Sequence, residues 1–406
     1  MDAFFVSCEL RRRPELRTEP VVVGGTGDRG VVAAASYVAR AYGIHSAMPT
    51  SQARRLCPHA VFLAGDHAYY GQVSSKVMSL FRDVTPLAEP LSLDEAFLDV
   101  RGALHGEDRA ATIAAELRER VLAEEQLTCS VGVATNKFLA KLATERAKPA
   151  PSLTGPVHGT GVFVIEAGTE LEFLHPLAVR ELWGVGPATG AKLSRMGVET
   201  VGDLAAQPEE RMKAALGSAV GHHLHRLSHA YDDRPVVVDQ GVKSIGHEET
   251  FPHDLFAEDR LSRELVRMAD AVASRLRAAN VAGRTITVKI RFGDFTTITR
   301  SVTLPEAVDG ARAIAHEAST LLGRVDTSPG VRLLGVSASQ LVEVTAYQMT
   351  FDELEGRSWS DADDVVDEIR ERFGGNAIGP ATLSRPESGL KRMERGQQQW
   401  GPDRDL

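Results

Sequence analysis

Apolar side chains along this chain recur in two rhythms, and the switches between them mark out its elements. Met1 to Leu10 reads as a strand end running into a helix, with Phe4 and Phe5 adjacent. Val21 to Val23 and Val31 to Ala35 are short β-branched runs, joined by the glycine-rich Gly24 to Gly30. Helical spacing follows over Ser36 to Ala47, over Thr50 to about Cys57 with Pro49 suited to a first turn, and over Tyr69 to Phe81. From Ala110 to Leu122, Ile113, Leu117 and Val121 stand at i, i+4 and i+8, one apolar helix face. Thr128 to Ala134 predicts a strand and Asn136 to Ala147 a helix that Lys148-Pro149 ends.

Beyond Tyr231 to Gln240, which reads as a linker, the rhythm settles into a second unit. Strands are predicted at 243–250, 284–292, 296–304 and 331–341, with helices at 257–279 and 310–322. This βαββαβ order predicts a separate small domain of ferredoxin-like type. Within it, Arg284 to Arg291 alternates basic or polar with apolar residues, which predicts one buried and one cationic face. After Leu341 the pattern fails: Asp352 to Glu371 is acidic, and from Ser384 the chain is polar enough to predict disorder.

Composition narrows the class without naming a function. The 406 residues suffice for several domains, and 43% hydrophobic with 25% charged is ordinary for a soluble globular chain. Cys8, Cys57 and Cys129 match neither zinc spacing nor a disulfide framework, and read as buried thiols. No apolar run has membrane-spanning length and no signal segment opens the chain, so a cytoplasmic location is expected. The net charge of -9 argues against a protein that coats nucleic acid with its whole surface, but allows a local basic face.

Candidate chemistry starts at Ser92 to Val100, SLDEAFLDV, where Asp94 and Glu95 sit side by side between apolar residues. Leu91 and Leu93 before the pair, and Phe97, Leu98 and Val100 after it, predict strands meeting at a bend. Neighbouring carboxylates repel, and a hard divalent cation relieves that repulsion; a solvated turn is the plain alternative. Tyr37 and Arg40, three apart, can offer a phenol and a guanidinium to one phosphate. Lys137 and Lys141, four apart, can face an anion. In WGVGPATGAKL, the Gly184-x-Gly186 turn opens a helix whose amides suit a phosphate backbone, and an ordinary helix connection is the alternative. Gly24 to Gly30 lacks the Gly-Lys-Ser/Thr ending of a P-loop, so it predicts a hairpin connection. His225 and His229 are four apart without a cysteine or carboxylate at ligand spacing, which suits a helix along DNA better than zinc.

Seven separated motifs then resemble, in order, the Y-family DNA polymerases of the bacterial DNA polymerase IV class: DAFFVSCE, SYVARAYGI with SAMP, SLDEAFLDV, SVGVATNKFLAKLATERAKP, LWGVGPATGAKL, KSIGHEETF and RTITVKIRFGDF. The resemblance covers roughly residues 1 to 342. It implies an α+β right-hand polymerase. The parts would be a ferredoxin-like palm (1–10 and 67–165), small fingers (11–66), a helix-hairpin-helix thumb (166–230), a linker (231–241) and a βαββαβ little finger (242–342), with a tail over 343–406. By the same resemblance Asp94 and Glu95 are catalytic ligands of two Mg²⁺ ions. Phe5 is the steric gate that excludes a ribose 2′-hydroxyl, and Phe4, Phe5, Tyr37, Arg40 and Lys148 line the dNTP site. Gly184, Gly186, Lys192, Arg284, Lys289 and Arg291 would contact DNA, and Gln348, Met349 and Phe351 resemble a sliding-clamp peptide.

The implied activity is error-prone translesion synthesis by a monomer on primer-template DNA with dNTPs. One departure stands out: the family opens on a strand ending in Asp-x-Asp, whose first aspartate ligates metal. Here Asp2 matches the second, Met1 the residue between, and the first is absent from the chain as given. A start assigned at the methionine inside an Asp-Met-Asp run is expected, since without that carboxylate catalysis should fail. The alternative, a non-catalytic paralogue that recruits other polymerases, predicts decay at Asp94, Glu95, Lys148 and Phe5, all of which are present.

Overall fold

A computed structural model of the chain describes residues 1–104, 109–238, 241–344, 359–374 and 377–383. Buried apolar side chains gather around four centres, each built by the rhythm of its own stretch. The first centre joins helices α1 (Phe4–Arg12), α4 (His67–Val84) and α5 (Ala110–Glu125) through Phe4, Val6, Tyr70, Val77, Leu117 and Val121. Helix α4 starts where the Asp66 carboxylate accepts from the Tyr69 amide at 3.1 Å, satisfying an N-terminal donor that has no partner within the helix.

Beside these helices run two short ladders. Strands β4 (Ala88–Pro90) and β5 (Ala96–Leu98) form an antiparallel hairpin, and β6 (Val131–Val133) and β7 (Val162–Val164) a parallel pair. Leu91 and Leu93 fall in the bend rather than on a strand. The amides of Leu91 and Ser92 both turn back to the Glu95 carbonyl, at 2.8 and 3.3 Å, which closes the chain before the ladder can extend. The strand expected at 128–134 is likewise narrower, because the Thr128 carbonyl accepts from the Asp2 amide instead.

The second centre holds β1 (Val21–Gly24), β2 (Val32–Ala35) and β3 (Val61–Leu63), in the order β2-β1-β3, with α2 (Tyr37–Ala41) and α3 (Thr50–Leu56) against them. The glycine-rich loop is a hairpin connection: a Cβ on Gly30 would collide with the Gly25 carbonyl, so the turn admits no side chain there. The third centre is helical. α6 (Lys137–Ala147), capped by Asn136, packs with α7 (Glu170–Leu174), α8 (Pro187–Arg195), α9 (Val201–Ala205), α10 (Glu209–Leu216) and α11 (Ser218–Ser228).

The fourth centre is a four-stranded antiparallel sheet of β8 (Ser244–Leu255), β9 (Val281–Phe292), β10 (Thr297–Val308) and β11 (Val331–Glu343), with α12 (Glu258–Ala278) and α13 (Ala311–Leu322) on one face. Its element order is the predicted one, but its pairing corrects the ferredoxin-like expectation. A ferredoxin-like sheet centres its first and third strands; here the order β10-β9-β11-β8 centres the second and fourth. Sequence chemistry agrees. β10 carries Pro305 and a register shift between Thr303 and Val308, both marks of an edge strand, whereas Ile286, Val288, Ile290, Leu334, Val336 and Ala338 are buried in the central pair.

The acidic stretch after Leu341, in which no element was predicted, contains a further helix, α14 (Trp359–Phe373). Its charged residues meet α12: Arg277 Nε of α12 donates to Asp367 at 2.6 Å, and Arg370 Nη2 of α14 to Asp270 at 2.9 Å. Charge pairing across the two helices, not an apolar rhythm, reveals this contact. Among the described residues no helix is long and apolar enough to cross a membrane.

Candidate active site and nucleic-acid surface

The β4–β5 bend presents Asp94 and Glu95 at its outer corner. Ser92 Oγ donates to Asp94 Oδ1 at 2.9 Å and receives the Asp94 amide at 3.3 Å, so the turn's own serine orients the first carboxylate. Glu95 turns to helix α6, where its Oε1 lies 2.7 Å from Lys141 Nζ. Burial pushes the Glu95 carboxyl up. The Lys141 hydrogen bond and charge, with help from Lys148 and the N-terminal amine, outweigh that push and hold it below the ordinary carboxylate range. The Met1 amine donates to the Asp94 carbonyl at 2.8 Å and stands 3.8 Å from Asp94 Oδ2. Lys141, which can face an anion, pairs with Glu95.

Asp2 is buried, with its Oδ1 accepting from Ser130 Oγ at 2.8 Å. One residue on, Ala3 takes a left-handed backbone conformation and α1 begins. That start buries Phe4 and leaves Phe5 half-buried, its ring stacked on Tyr70 at 4.6 Å and 15° with the His67 edge 5.5 Å away. Tyr70 is itself pinned, its hydroxyl donating to Glu9 Oε1 at 2.7 Å. The sequence reading missed Tyr70 as the wall behind Phe5. The adjacent Tyr69 and Tyr70 at the head of a helix were the available signal.

Tyr37 and Arg40 do share one face of α2, with the guanidinium 4.8 Å from the phenol ring. Arg40 Nε donates to the Ala35 carbonyl at 3.0 Å, while the buried Tyr37 hydroxyl has no partner among the described residues. Burial, reinforced by the Asp2 charge, pushes that phenol up to about 12, so it remains a donor. Lys148 rests on Glu145 at 2.6 Å, and its charge reaches Glu95. The hairpin carboxylates, Lys141 and Lys148 thus share one field, with Tyr37 near Asp2 and Glu145 at its margin.

The donor set suits a hard divalent cation. Mg²⁺ needs only one or two carboxylates besides water and substrate phosphate, and Asp94 and Glu95 supply those oxygens. No group of three or more histidine, cysteine or acidic ligands occurs among the described residues.

Away from the carboxylates, Gly184 and Gly186 are exposed in the turn before α8. Gly184 has a φ of 94°, and neither glycine has an atom within 4 Å of where a Cβ would sit, which leaves open backbone. Lys192 is exposed on α8, which Leu193 anchors. On the sheet, the face away from α12 and α13 reads Thr285, Thr287, Lys289 and Arg291 on β9, beside Ser301 and Thr299 on β10 and Ser337 and Gly335 on β11. Lys289 is paired there with Glu248 at 2.8 Å, and Arg291 Nε donates to Thr297 Oγ1. Arg284 does not join them. It has the parity of buried Ile286, and its guanidinium turns to the carbonyls of Leu304 and Pro305. Gln348, Met349 and Phe351 lie outside the described residues.

The sequence pattern of the impB/mucB/samB family matches residues 1–145, and that of its C-terminal domain matches 242–351. A pattern described as the DNA polymerase-iota thumb domain matches 180–232. The chain is 46% identical over 347 residues to DNA polymerase IV of Streptomyces coelicolor, an alignment taking in 85% of this chain and 70% of that one. With DNA polymerase IV of Desulfatibacillum aliphaticivorans it shares 39% identity, over 94% and 95% of the two chains. Among solved structures, a Y-family DNA polymerase chimera of Dbh and Dpo4 superposes with a TM-score of 0.74, covering 84% of this chain and 97% of that one at 24% identity. The insertion ternary complex of Dbh DNA polymerase gives 0.61 over the same shares.

Proposed function

The chain belongs to the Y family of DNA polymerases, in the bacterial DNA polymerase IV class, and from that premise we propose how its residues carry out template-directed translesion synthesis. Asp94 and Glu95 are the carboxylates that would hold two Mg²⁺ ions at the hairpin bend. When bound, such ions favour ionisation of the primer 3′-hydroxyl and offset charge on the triphosphate. The chain's own groups do the positioning. Tyr37, Arg40 and Lys148 donate to the triphosphate, and the Phe5 ring, backed by Tyr70 and seated beside Phe4, occupies the space a 2′-hydroxyl would need. Gly184 and Gly186 offer backbone amides to a DNA phosphate, Lys192 adds charge, and Lys289 and Arg291 follow the duplex backbone from the open sheet face. Arg284 acts with them only by leaving the carbonyls it now holds.

Error-prone synthesis past damaged bases is the activity that membership of this family implies. The chain would work as a cytoplasmic monomer, with Gln348, Met349 and Phe351 docking on the sliding clamp. The observation that carries the metal assignment is the β4–β5 bend, which sets Glu95 directly beside an Asp94 whose Oδ1 is oriented by Ser92 Oγ at 2.9 Å. Titration with Mn²⁺ in competition with Mg²⁺, in the presence of primer-template and dNTP, tests it. Glu95→Gln should weaken divalent binding by about tenfold or more; unchanged affinity would move the metal elsewhere.

A further inference from the structure

Between α11 and β8 the chain runs back across the base of the acidic hairpin and meets it and α6 in one buried seam. The buried Asp232 carboxylate accepts from the Phe138 amide at 3.1 Å, and Asn136 Nδ2 donates to the Ala230 carbonyl at 2.9 Å. One N-terminal donor of α6 is thus satisfied by this segment, and another by the Asn136 cap, whose Oδ1 accepts from the Leu139 amide at 3.0 Å. Arg234 holds Asp232 from the other side, Nε to Oδ1 at 2.6 Å, and sets its guanidinium 5.5 Å from the Trp183 ring centroid.

Further along, the Val237 amide donates to Glu89 Oε2 at 2.8 Å, and Lys137 Nζ donates to the same oxygen at 2.7 Å. Glu89 is only 3% exposed. Burial pushes its carboxyl up, but Lys137, the Val237 amide and the Arg234 charge outweigh that push and hold it below the ordinary carboxylate range. Glu89 faces Phe97 across the β4–β5 ladder, and Lys137 Nζ lies 5.3 Å from the centroid of that ring. Helix α6 therefore grips the hairpin twice, one turn apart: Lys137 at Glu89 of β4, and Lys141 at Glu95 in the bend. Removing the Glu89 carboxylate alone would leave a buried ammonium and an amide unpaired, so it is what keeps α6 and the crossing segment in register with the hairpin.

We propose that Glu89 is a positioning residue for nucleotidyl transfer. By holding the Val237 amide and Lys137 together, it makes the seating of residues 230–237 a condition for α6 to set Lys141 against Glu95. A segment drawn out of its seat turns the start of α6, and with it the lysine one turn along. The inference rests on Asp94 and Glu95 serving the reacting centre of a template-directed polymerase.

Single-turnover nucleotide insertion in the full natural chain tests it, with the maximal rate, the apparent dNTP affinity and the primer-template affinity measured separately. Glu89→Gln should lower the maximal rate about tenfold or more, because small misplacements at a reacting centre are costly, and keep both affinities within about twofold. Asp232→Ala, which frees the segment from α6 without touching the hairpin, should slow the same step, and the two changes together should cost no more than the slower one. Glu89→Leu with Lys137→Met replaces the ion pair by apolar groups, so it should keep Tm within a few degrees of wild type and still be slow. A wild-type rate in Glu89→Gln, a loss confined to the affinities, independent losses in the combined variant, or a rate restored along with Tm in the apolar pair would each overturn the inference alone. A wild type that extends no primer would overturn the polymerase reading and this inference with it.

Discussion

Glu95 illustrates how a single side chain is set by opposed effects: burial favours its neutral form, and Lys141, helped by Lys148 and the N-terminal amine, more than reverses this. Because its folded pKa lies below the unfolded value of about 4.5, its ionic contribution is fully present above that value and is lost as pH falls through the folded pKa. Lys141→Met leaves burial dominant, so the carboxyl should titrate at higher pH and acid unfolding should begin earlier. A ¹³C-detected titration of the Glu95 carboxyl checks this, and an unmoved midpoint would remove Lys141 as the cause. Phe5 is set by contact instead. Its ring is stacked on a tyrosine held by Glu9, so the proposed gate has one preferred position. Phe5→Ala should lower discrimination against ribonucleotides at least about tenfold in kcat/KM, since a ring that excludes by overlap leaves free volume when removed. Single-nucleotide insertion with matched dNTP and rNTP measures it, and unchanged discrimination would dismiss the gate.

Among the elements, the hairpin and the sheet differ in how their charges are held. Beside the acidic bend, Glu89 of β4 is buried and accepts from Lys137 Nζ at 2.7 Å and from the Val237 amide at 2.8 Å. This ties Val237, in the stretch between α11 and β8, to the same ladder that carries Asp94 and Glu95. On the sheet's open face, Lys289 is partly neutralised by Glu248 at 2.8 Å. Glu248→Gln releases that lysine and removes a carboxylate that would repel phosphate. Duplex binding should tighten several-fold and the log–log slope with salt should steepen by about one. Anisotropy across a salt series decides this; weaker binding would mean that the pair positions the lysine for DNA. The elements of this domain were legible because long periodic runs, such as Leu261, Leu265, Met268, Val272 and Leu276, admit one reading. Their pairing was not, since strand order follows from which strands tolerate an edge. That Arg284 shares the parity of Ile286 was not legible for a related reason: motif membership says nothing about which face a strand residue takes.

At the scale of the molecule, four cores and a C-terminal helix bring residues distant in sequence to one cleft and one seam. The acidic bend, the paired aromatics and the Tyr37–Arg40 face were all readable, because each is a local spacing with a chemical reason. Partners across the fold were not readable: Lys141 on Glu95, Tyr70 behind Phe5, and α14 against α12 depend on tertiary approach. The central claim concerns what the assembled cleft does with the two neighbouring acids. Single-turnover primer extension on undamaged primer-template, with Asp94→Asn and Glu95→Gln made in the full natural chain beside its wild type, addresses it most directly. Rates should fall by about three orders of magnitude, with DNA affinity kept within about twofold, because the acids serve the reacting centre and not the duplex. Extension surviving within about tenfold of wild type in either variant would contradict the account.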